Sequence, residues 1–361
     1  MTVPRPVCIF LLLLISSGGY TAFGQTTVPA APPDADPSIA SAARSIRVNV
    51  VAETKAGQPV TNLDRQDFTI LDNKTARPIT SFKIATAADD PPSVILLIDA
   101  VNLPFSTVAY ARDGINKFLR LNEGQLVDPT TIAVLTDDGV KMEGNFTKDG
   151  NTLSDVLEHH NIGLRQITRS AQWGGFDRLQ ICLNSMQQMI TYASSIPGRK
   201  IVIWISPGWP LISGPRIQLD GHQEQWIFDQ IVQLTTRLRE NNITLYNPNP
   251  IGVSESMIAA NYYEDFLKGV SKPNQVQFGN LGLQVLAVHS GGLAIEGNSD
   301  VMGMIQRCLQ DARSWYIIGF DPLPADRPNE YHHIDVKIDR PGIVARTRDG
   351  YYANPEAVPV R

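Results

Sequence analysis

Cysteine is scarce in this chain. Its 361 residues hold three, Cys8, Cys182 and Cys308, which excludes a small scaffold built on disulfides. Basic charge is in short supply too: 31 Lys and Arg stand against 36 Asp and Glu, a formal net charge of −5. A mildly acidic chain is a poor partner for nucleic acid or for an anionic membrane surface. Charged residues make up 19% and hydrophobic ones 43%, so the composition argues against disorder and supplies a real core. There is no Gly-x-x-x-x-Gly-Lys phosphate loop. Ser206, in Ile205-Ser206-Pro207-Gly208, lacks the glycine that precedes the serine of a nucleophile elbow. His159-His160 and His332-His333 are adjacent pairs. Neighbouring side chains point apart on a helix or strand, so these pairs make poor zinc sites and read as solvated surface residues. His289 near a helix end reads as a partner of the helix dipole. Together these absences argue against an enzyme.

What is present begins with an export signal. Arg5 supplies a positive start, Val7–Ile15 is apolar, and Ala22-Phe23-Gly24 is a small-x-small cleavage site. Residues 1–24 are therefore expected to be a signal peptide, with a periplasmic or extracellular mature chain. The apolar run is shorter than the about 20 residues of a membrane span, so no span is expected in the mature chain. Cleavage would leave Cys182 and Cys308, both in expected helices. Two separate buried thiols are favoured over one bridge. Residues 25–45 are rich in Ala, Pro, Thr and Ser and read as a flexible linker.

Residues 46–86 alternate with period two and carry turn residues at Gly57-Gln58-Pro59 and Asp72-Asn73-Lys74, the pattern of a small β unit. The period changes after Pro91-Pro92. Val94–Ile98 is a continuous apolar run, as in a strand covered on both faces. Further buried strands follow at Ile132–Leu135, Ile201–Ile205, Ile243–Tyr246 and Leu293–Ile295. Asp138-Gly139 signals a hairpin and an antiparallel edge strand. Helical stretches are expected at about 107–121, 152–160, 177–194 and 222–240. Gly291-Gly292 stops one further helix, and Asp300 caps the last. Alternating strands and helices predict a doubly wound, mostly parallel α/β sheet over residues 92–313. Its ligand edge would lie at the carboxyl ends of the strands, where Val94–Ile98 delivers Asp99. Residues 314–353 return to period two. These late strands are expected either to join residues 46–86 in one β-sandwich-like unit or to form a separate flap, with 354–361 a tail.

The order of Val94–Asp99, the Asp-Gly hairpin, Gly174-Gly175 and Ile201–Gly208 resembles the von Willebrand factor A-type domain. The flanks are similar to those of the von Willebrand factor A-related domain of acidobacteria: Gly57-Gln58-Pro59-Val60-Thr61-Asn62-Leu63, Asp67–Asp72, Gly198-Arg199-Lys200 and Arg348-Asp349-Gly350-Tyr351-Tyr352. The resemblance covers roughly residues 45–353. It implies an exported protein of adhesion or partner-binding type. It also implies a metal-ion-dependent adhesion site, with Asp-x-Ser-x-Ser in the first loop, Thr in the second and Asp in the third. Hard oxygen ligands of this kind suit Mg²⁺. Here only Asp99 matches. Val101 and Leu103 stand at the serine positions, Phe176 at the threonine and Pro207 at the aspartate.

The metal pattern is thus degenerate, and no cofactor is expected, although weak Mg²⁺ or Ca²⁺ binding stays open. A different oxygen cluster of Asn102, Asp137 and Asp177 is conceivable. The favoured role for Asp99 is to accept backbone N–H bonds, and for Asp177 to be an N-terminal helix acid. Phe105, Trp173, Phe176 and Trp209 fall in loops expected at the Asp99 edge. They either anchor a protein partner or pack beneath loops, two readings of equal weight. The expected function is a metal-independent protein-binding or adhesion module using Asp99, Asn102, Phe105, Trp173, Phe176, Asp177 and Trp209. The alternative is a structural or scaffold subunit of a cell-envelope assembly.

Overall fold

The computed structural model describes residues 45–159, 171–210, 218–251 and 262–355. The expected signal peptide and nearly all of the linker lie outside the described residues. The described residues start with β1 (Ile46–Thr54), β2 (Phe68–Asp72), β3 (Thr75–Arg77) and β4 (Ile79–Thr86). Asn73 and Lys74 turn β2 into β3 with φ of 46° and 68°, the left-handed pair of a tight hairpin. The α/β part follows: β5 (Ser93–Asp99), α1 (Phe105–Leu119), β6 (Gln125–Thr136), β7 (Gly139–Asp149), α2 (Gly150–His159), α3 (Ala171–Ser194), β8 (Lys200–Ile205), α4 (Gly221–Glu240), β9 (Ile243–Pro248), α5 (Leu283–His289), β10 (Ala294–Ile295) and α6 (Val301–Arg313). Four strands close the chain: β11 (Ser314–Phe320), β12 (Glu330–Ile338), β13 (Ile343–Arg346) and β14 (Gly350–Ala353).

The central sheet has the order β10-β9-β8-β5-β6-β7. All its pairings are parallel except β6 with β7. Alternate residues of β5 feed opposite cores. Ile95 and Leu97 pack with α3, α4 and α5, while Val94, Leu96 and Ile98 pack with α1, α2 and α6. This double burial is why the strand carries no polar residue between Ser93 and Asp99. The doubly wound, mostly parallel sheet with one antiparallel edge is the architecture expected from the sequence. Cys182 lies in one of these cores and Cys308 in the other. Both are free and buried, and the sheet between them keeps them apart.

The flanking strands do not form separate flaps. β1 pairs with both β11 and β13, and β2 pairs with β12. Two four-stranded sheets result, β13-β1-β11-β4 and β14-β12-β2-β3. They enclose a core that includes Val48, Val50, Phe68, Ile70, Tyr316, Ile318 and Tyr351. One reading needs correction. His332 is not a solvated surface residue but 2% exposed. Its register places it inward with Ile334 and Val336, so the period-two pattern already carried this position. Its Nδ1 lies 3.0 Å from Asp72 Oδ1. The Tyr351 hydroxyl and the Leu323 N–H donate to Asp72 Oδ2 at 2.7 and 2.8 Å. His333, its neighbour, is exposed. His289 faces Asp349 at 2.8 Å.

A charged joint ties the sandwich to the α/β unit. Helix α6 runs directly into β11, and Asp311 in its last turn is 1% exposed. Its Oδ2 accepts from the Tyr246 hydroxyl of β9 at 2.6 Å and from Arg346 Nη2 of β13 at 2.5 Å. Arg307 on α6 donates to Glu53 of β1 at 2.9 Å. Arg199 is buried, donates to the Asp311 carbonyl at 2.9 Å, and lies 4.7 Å over the Trp315 ring.

Two outcomes follow from these carboxylates. Replacing Asp311 by Ala leaves Arg346 without its closest acceptor, and the expected cost is about 3–5 kcal/mol, read from urea denaturation. Burial alone would raise the Asp72 carboxyl, but donors led by His332 hold it below its ordinary 3.8. A group lowered in the fold contributes stability above its unfolded value and loses it as pH falls through the folded one. Asp72→Asn is therefore expected to cost roughly 1.5–3 kcal/mol at neutral pH. The gap from the parent should narrow as the pH drops below 3.8.

Candidate functional site

The chain leaves β5 toward β6 and β7 on one side of the sheet and returns to β8 on the other. The strand order therefore reverses between β5 and β8, and a crevice is expected outside their carboxyl ends. Asp99 ends β5, and Ser206 follows β8. The crevice between them is closed by protein. Asp99 Oδ1 accepts the N–H groups of Val101 and Asn102 at 3.1 and 2.8 Å. Its Oδ2 accepts Asn102 Nδ2 at 2.8 Å, Ser206 Oγ at 2.7 Å and Trp204 Nε1 at 3.3 Å. The carboxyl is fully buried. Burial raises its pKa, and the hydrogen bonds from Asn102 and Ser206 act against that rise.

These contacts decide whether the adhesion-site metal fits. A carboxylate has about four lone-pair sites, and five donors already converge on this one. Val101 and Leu103 are 0% and 2% exposed and belong to the two apolar cores. Phe176 packs edge-on against Phe278, ring centroids 5.4 Å apart. The Pro207 carbonyl accepts Gln284 Nε2 at 3.2 Å. The residues at the metal positions do not fit a hard cation. Among the described residues, no group of three His, Cys, Asp or Glu is placed to hold a metal ion.

The structure spreads the expected edge residues over different environments. Helix α3 already includes Ala171, six residues before the expected start at 177, so Trp173, Phe176 and Asp177 sit on a helix and not in a loop. The side chain of Trp173 lies outside the described residues. Asp177 falls past the first described turn of α3, which holds no acid. Trp209 is 4% exposed and packs on Trp204, ring centroids 5.6 Å apart. It is a core residue, because the turn at Gly208 (φ 100°) folds it back onto β8. Asn102 is half-buried and also lies 3.1 Å from Cys182 Sγ. Phe105, the first residue of α1, is 65% exposed. Of the aromatics first assigned to this edge, it is the one shown open to solvent.

Sequence reasoning missed a polar line along the same edge. Gln284 donates to Pro207 and to Glu296 Oε1, both at 3.2 Å. Asn249 donates to Glu296 Oε2 at 2.6 Å, and the Tyr262 hydroxyl donates to Gln284 Oε1 at 3.4 Å. Asn247 ties β9 to the Trp204 and Ser206 carbonyls at 3.0 and 2.9 Å. Burial raises the Glu296 pKa, opposed by the amides of Asn249 and Gln284. A Cβ at Gly208 would come within 2.4 Å of the Gln284 amide, so this contact requires glycine. The available signal was Asn247-Pro248-Asn249-Pro250, two amides placed at the end of a buried strand.

No family model matches the chain, and no curated protein matches it. Among the solved structures that match part of the chain are two neighbours of low identity. One is an aerotolerance-related membrane protein from Bacteroides fragilis NCTC 9343, carrying multiple mutations to serine. It is 12% identical with a TM-score of 0.31, over 60% of this chain and 98% of that one. The other is the VWA domain of SpRpn10, 11% identical with a TM-score of 0.31, over 61% of this chain and 97% of that one. Likeness at a TM-score of 0.31 carries no argument about this chain, whose doubly wound, mostly parallel sheet rests on its own strand order. Likeness at this level says nothing of what the chain binds. Among the described residues no helix is long and apolar enough to cross a membrane.

Removing the central acceptor tests the closed crevice. Asp99→Ala leaves the Ser206, Trp204 and Asn102 donors buried without it, at an expected cost of roughly 2–4 kcal/mol. Ser206→Ala removes one donor and should cost about 1 kcal/mol. Urea midpoints followed by tryptophan fluorescence would order the two.

Proposed function

We propose that the chain is an exported, non-enzymatic protein-binding module of von Willebrand factor A type, related to the acidobacterial members, whose contact surface is the carboxyl edge beside Phe105. The observation that carries this reading is Phe105 itself. A phenylalanine 65% open to water, next to exposed Pro104 and Ser106, keeps apolar surface hydrated that a partner could cover. Asp99 supports it from behind by fixing the loop that leads into α1. The binding is metal-independent, because the positions that would hold the ion are apolar or already engaged. Export rests on the Arg5, Val7–Ile15 and Ala22-Phe23-Gly24 pattern, and the flank motifs support the acidobacterial kinship. The partner is a protein that presents an apolar side chain to this edge.

Capture from a native envelope extract tests both parts, using the tagged chain and a Phe105→Asp variant of unchanged urea midpoint. The parent should retain a specific protein in the presence of EDTA, and the variant should lose at least about tenfold in affinity, the effect of an anchor worth about 1.4 kcal/mol. Equal retention by the variant would move the surface elsewhere. Release by EDTA would overturn the metal-independent reading.

A further inference from the structure

The chain contains four Asp-Pro peptide bonds, at Asp36-Pro37, Asp90-Pro91, Asp128-Pro129 and Asp321-Pro322. Such bonds are intrinsically weak in acid. The aspartyl carboxyl can attack its own main-chain carbonyl, and the tertiary proline nitrogen is a better leaving group than a secondary amide. The first of the four lies outside the described residues. Asp90 and Asp321 are half-buried. Asp128 is the most deeply buried of the three described ones, and the Asp321 main-chain carbonyl accepts a hydrogen bond from Arg77 Nε at 2.8 Å.

Asp128 is 6% exposed, and its Oδ1 has no hydrogen-bond partner among the described residues. The Thr130 hydroxyl donates to the Asp128 main-chain carbonyl oxygen at 2.9 Å. This donor polarises the very carbonyl that the carboxyl would attack. The local backbone is irregular as well. Gln125 pairs with Asp149 and Thr130 with Thr147, so residues 126–129 bulge opposite the single residue Lys148. Pairing of β6 with β5 begins only at Thr130. The scissile bond therefore lies in a stretch free of ladder constraints, flanked by Val127, which is 68% exposed.

We infer that Asp128-Pro129 is a self-cleaving peptide bond, cut selectively in the folded chain under mild acid. In the first step the Asp128 carboxyl oxygen bonds to the Asp128 carbonyl carbon. The bond from that carbon to the Pro129 nitrogen breaks, and the carboxyl proton passes to that nitrogen. In the second step one water molecule opens the cyclic anhydride, leaving Asp128 with two carboxyl groups and Pro129 with a free N-terminus. Nothing is oxidised or reduced. Burial lifts the Asp128 carboxyl to about 6, against the pull of Lys148 on β7, Arg199 ahead of β8 and Arg313 at the end of α6. The proton needed for the first step is thus present at a milder pH than an ordinary aspartate allows. The halves would stay associated through the β5, β6 and β7 ladder, so cleavage nicks the molecule without dissolving it.

The test incubates the purified full-length chain at pH 5 and at pH 8, and reads intact mass, fragment masses and the sequence of any new N-terminus. At pH 5 cleavage is expected at Asp128-Pro129 at least tenfold faster than at Asp90-Pro91 or Asp321-Pro322, with little at pH 8. In urea at the same pH the three bonds should react at similar rates, because the fold supplies the selectivity. Asp128→Asn should abolish the cut. Thr130→Val, which keeps the Asp-Pro bond, should slow it severalfold while circular dichroism reports a folded chain. Equal rates at the three bonds in the folded chain, no cut at 128, or a Thr130→Val rate equal to the parent's would each overturn the proposal.

Discussion

Asp311 is the constraint on which the molecule depends. It is a carboxylate 1% exposed, and such a group survives in a fold only when charged and neutral donors surround it. Its donors come from three places: Tyr246 in the parallel sheet, Arg346 in the sandwich, and Arg307 at 3.6 Å on its own helix. Satisfying this one charge therefore fixes the α/β unit against the β unit. Arg199 adds a second tie between the same parts through Trp315. The chain itself crosses between the two units after β4 and at Ser314, and the shared acceptor adds a rigid side-chain tie to those two crossings.

The rigidity matters at the other end of the sheet. Arg199 precedes β8 and Ser206 follows it, so six residues, roughly 20 Å at about 3.3 Å per residue, separate joint from edge. Strand β8 has no exposed residue and pairs on both sides. Its ends cannot shift independently. The Asp99 network at the edge is then presented by a scaffold already anchored at the joint, and Phe105 opens the helix that follows the loop whose backbone Asp99 holds. A preorganised edge of this kind spends little entropy on ordering when a partner arrives.

Much of the fold was legible in the sequence, because burial on two faces and burial on one face leave different periods. Val94–Ile98 could hardly be anything but a central strand, and Ile334–Ile338 anything but a half-buried one. The site was less legible. Val101, Leu103, Phe176 and Pro207 depart from the ligand pattern that the resemblance implied, a reading made from side-chain chemistry alone. The network around Asp99 was not readable, since its five donors come from residues as distant in sequence as Ser206. Trp209 illustrates the same limit. Its exposure depends on a glycine turn that folds it onto Trp204, and aromatic identity does not distinguish an anchor from a core residue. His332 was misread for a simpler reason: its pairing with His333 drew attention from the alternation that points it inward.

The buried acids then separate by how completely they are answered. Asp72, Asp99 and Asp311 each receive three or more donors, and each ties together segments distant in sequence. They act as the staples of a chain whose two described cysteines lie on opposite faces of a sheet. Asp128 is buried to a similar degree but faces cations without a hydrogen bond to Oδ1. A fold that supplies Asp99 with five donors shows that this sequence can answer a buried acid fully where structure requires it. Structure does not require Asp128, which sits in a bulge outside the ladder. Its protonation is therefore free to follow the solution. At Asp99 the same proton would have to displace a network; at Asp128 it meets none.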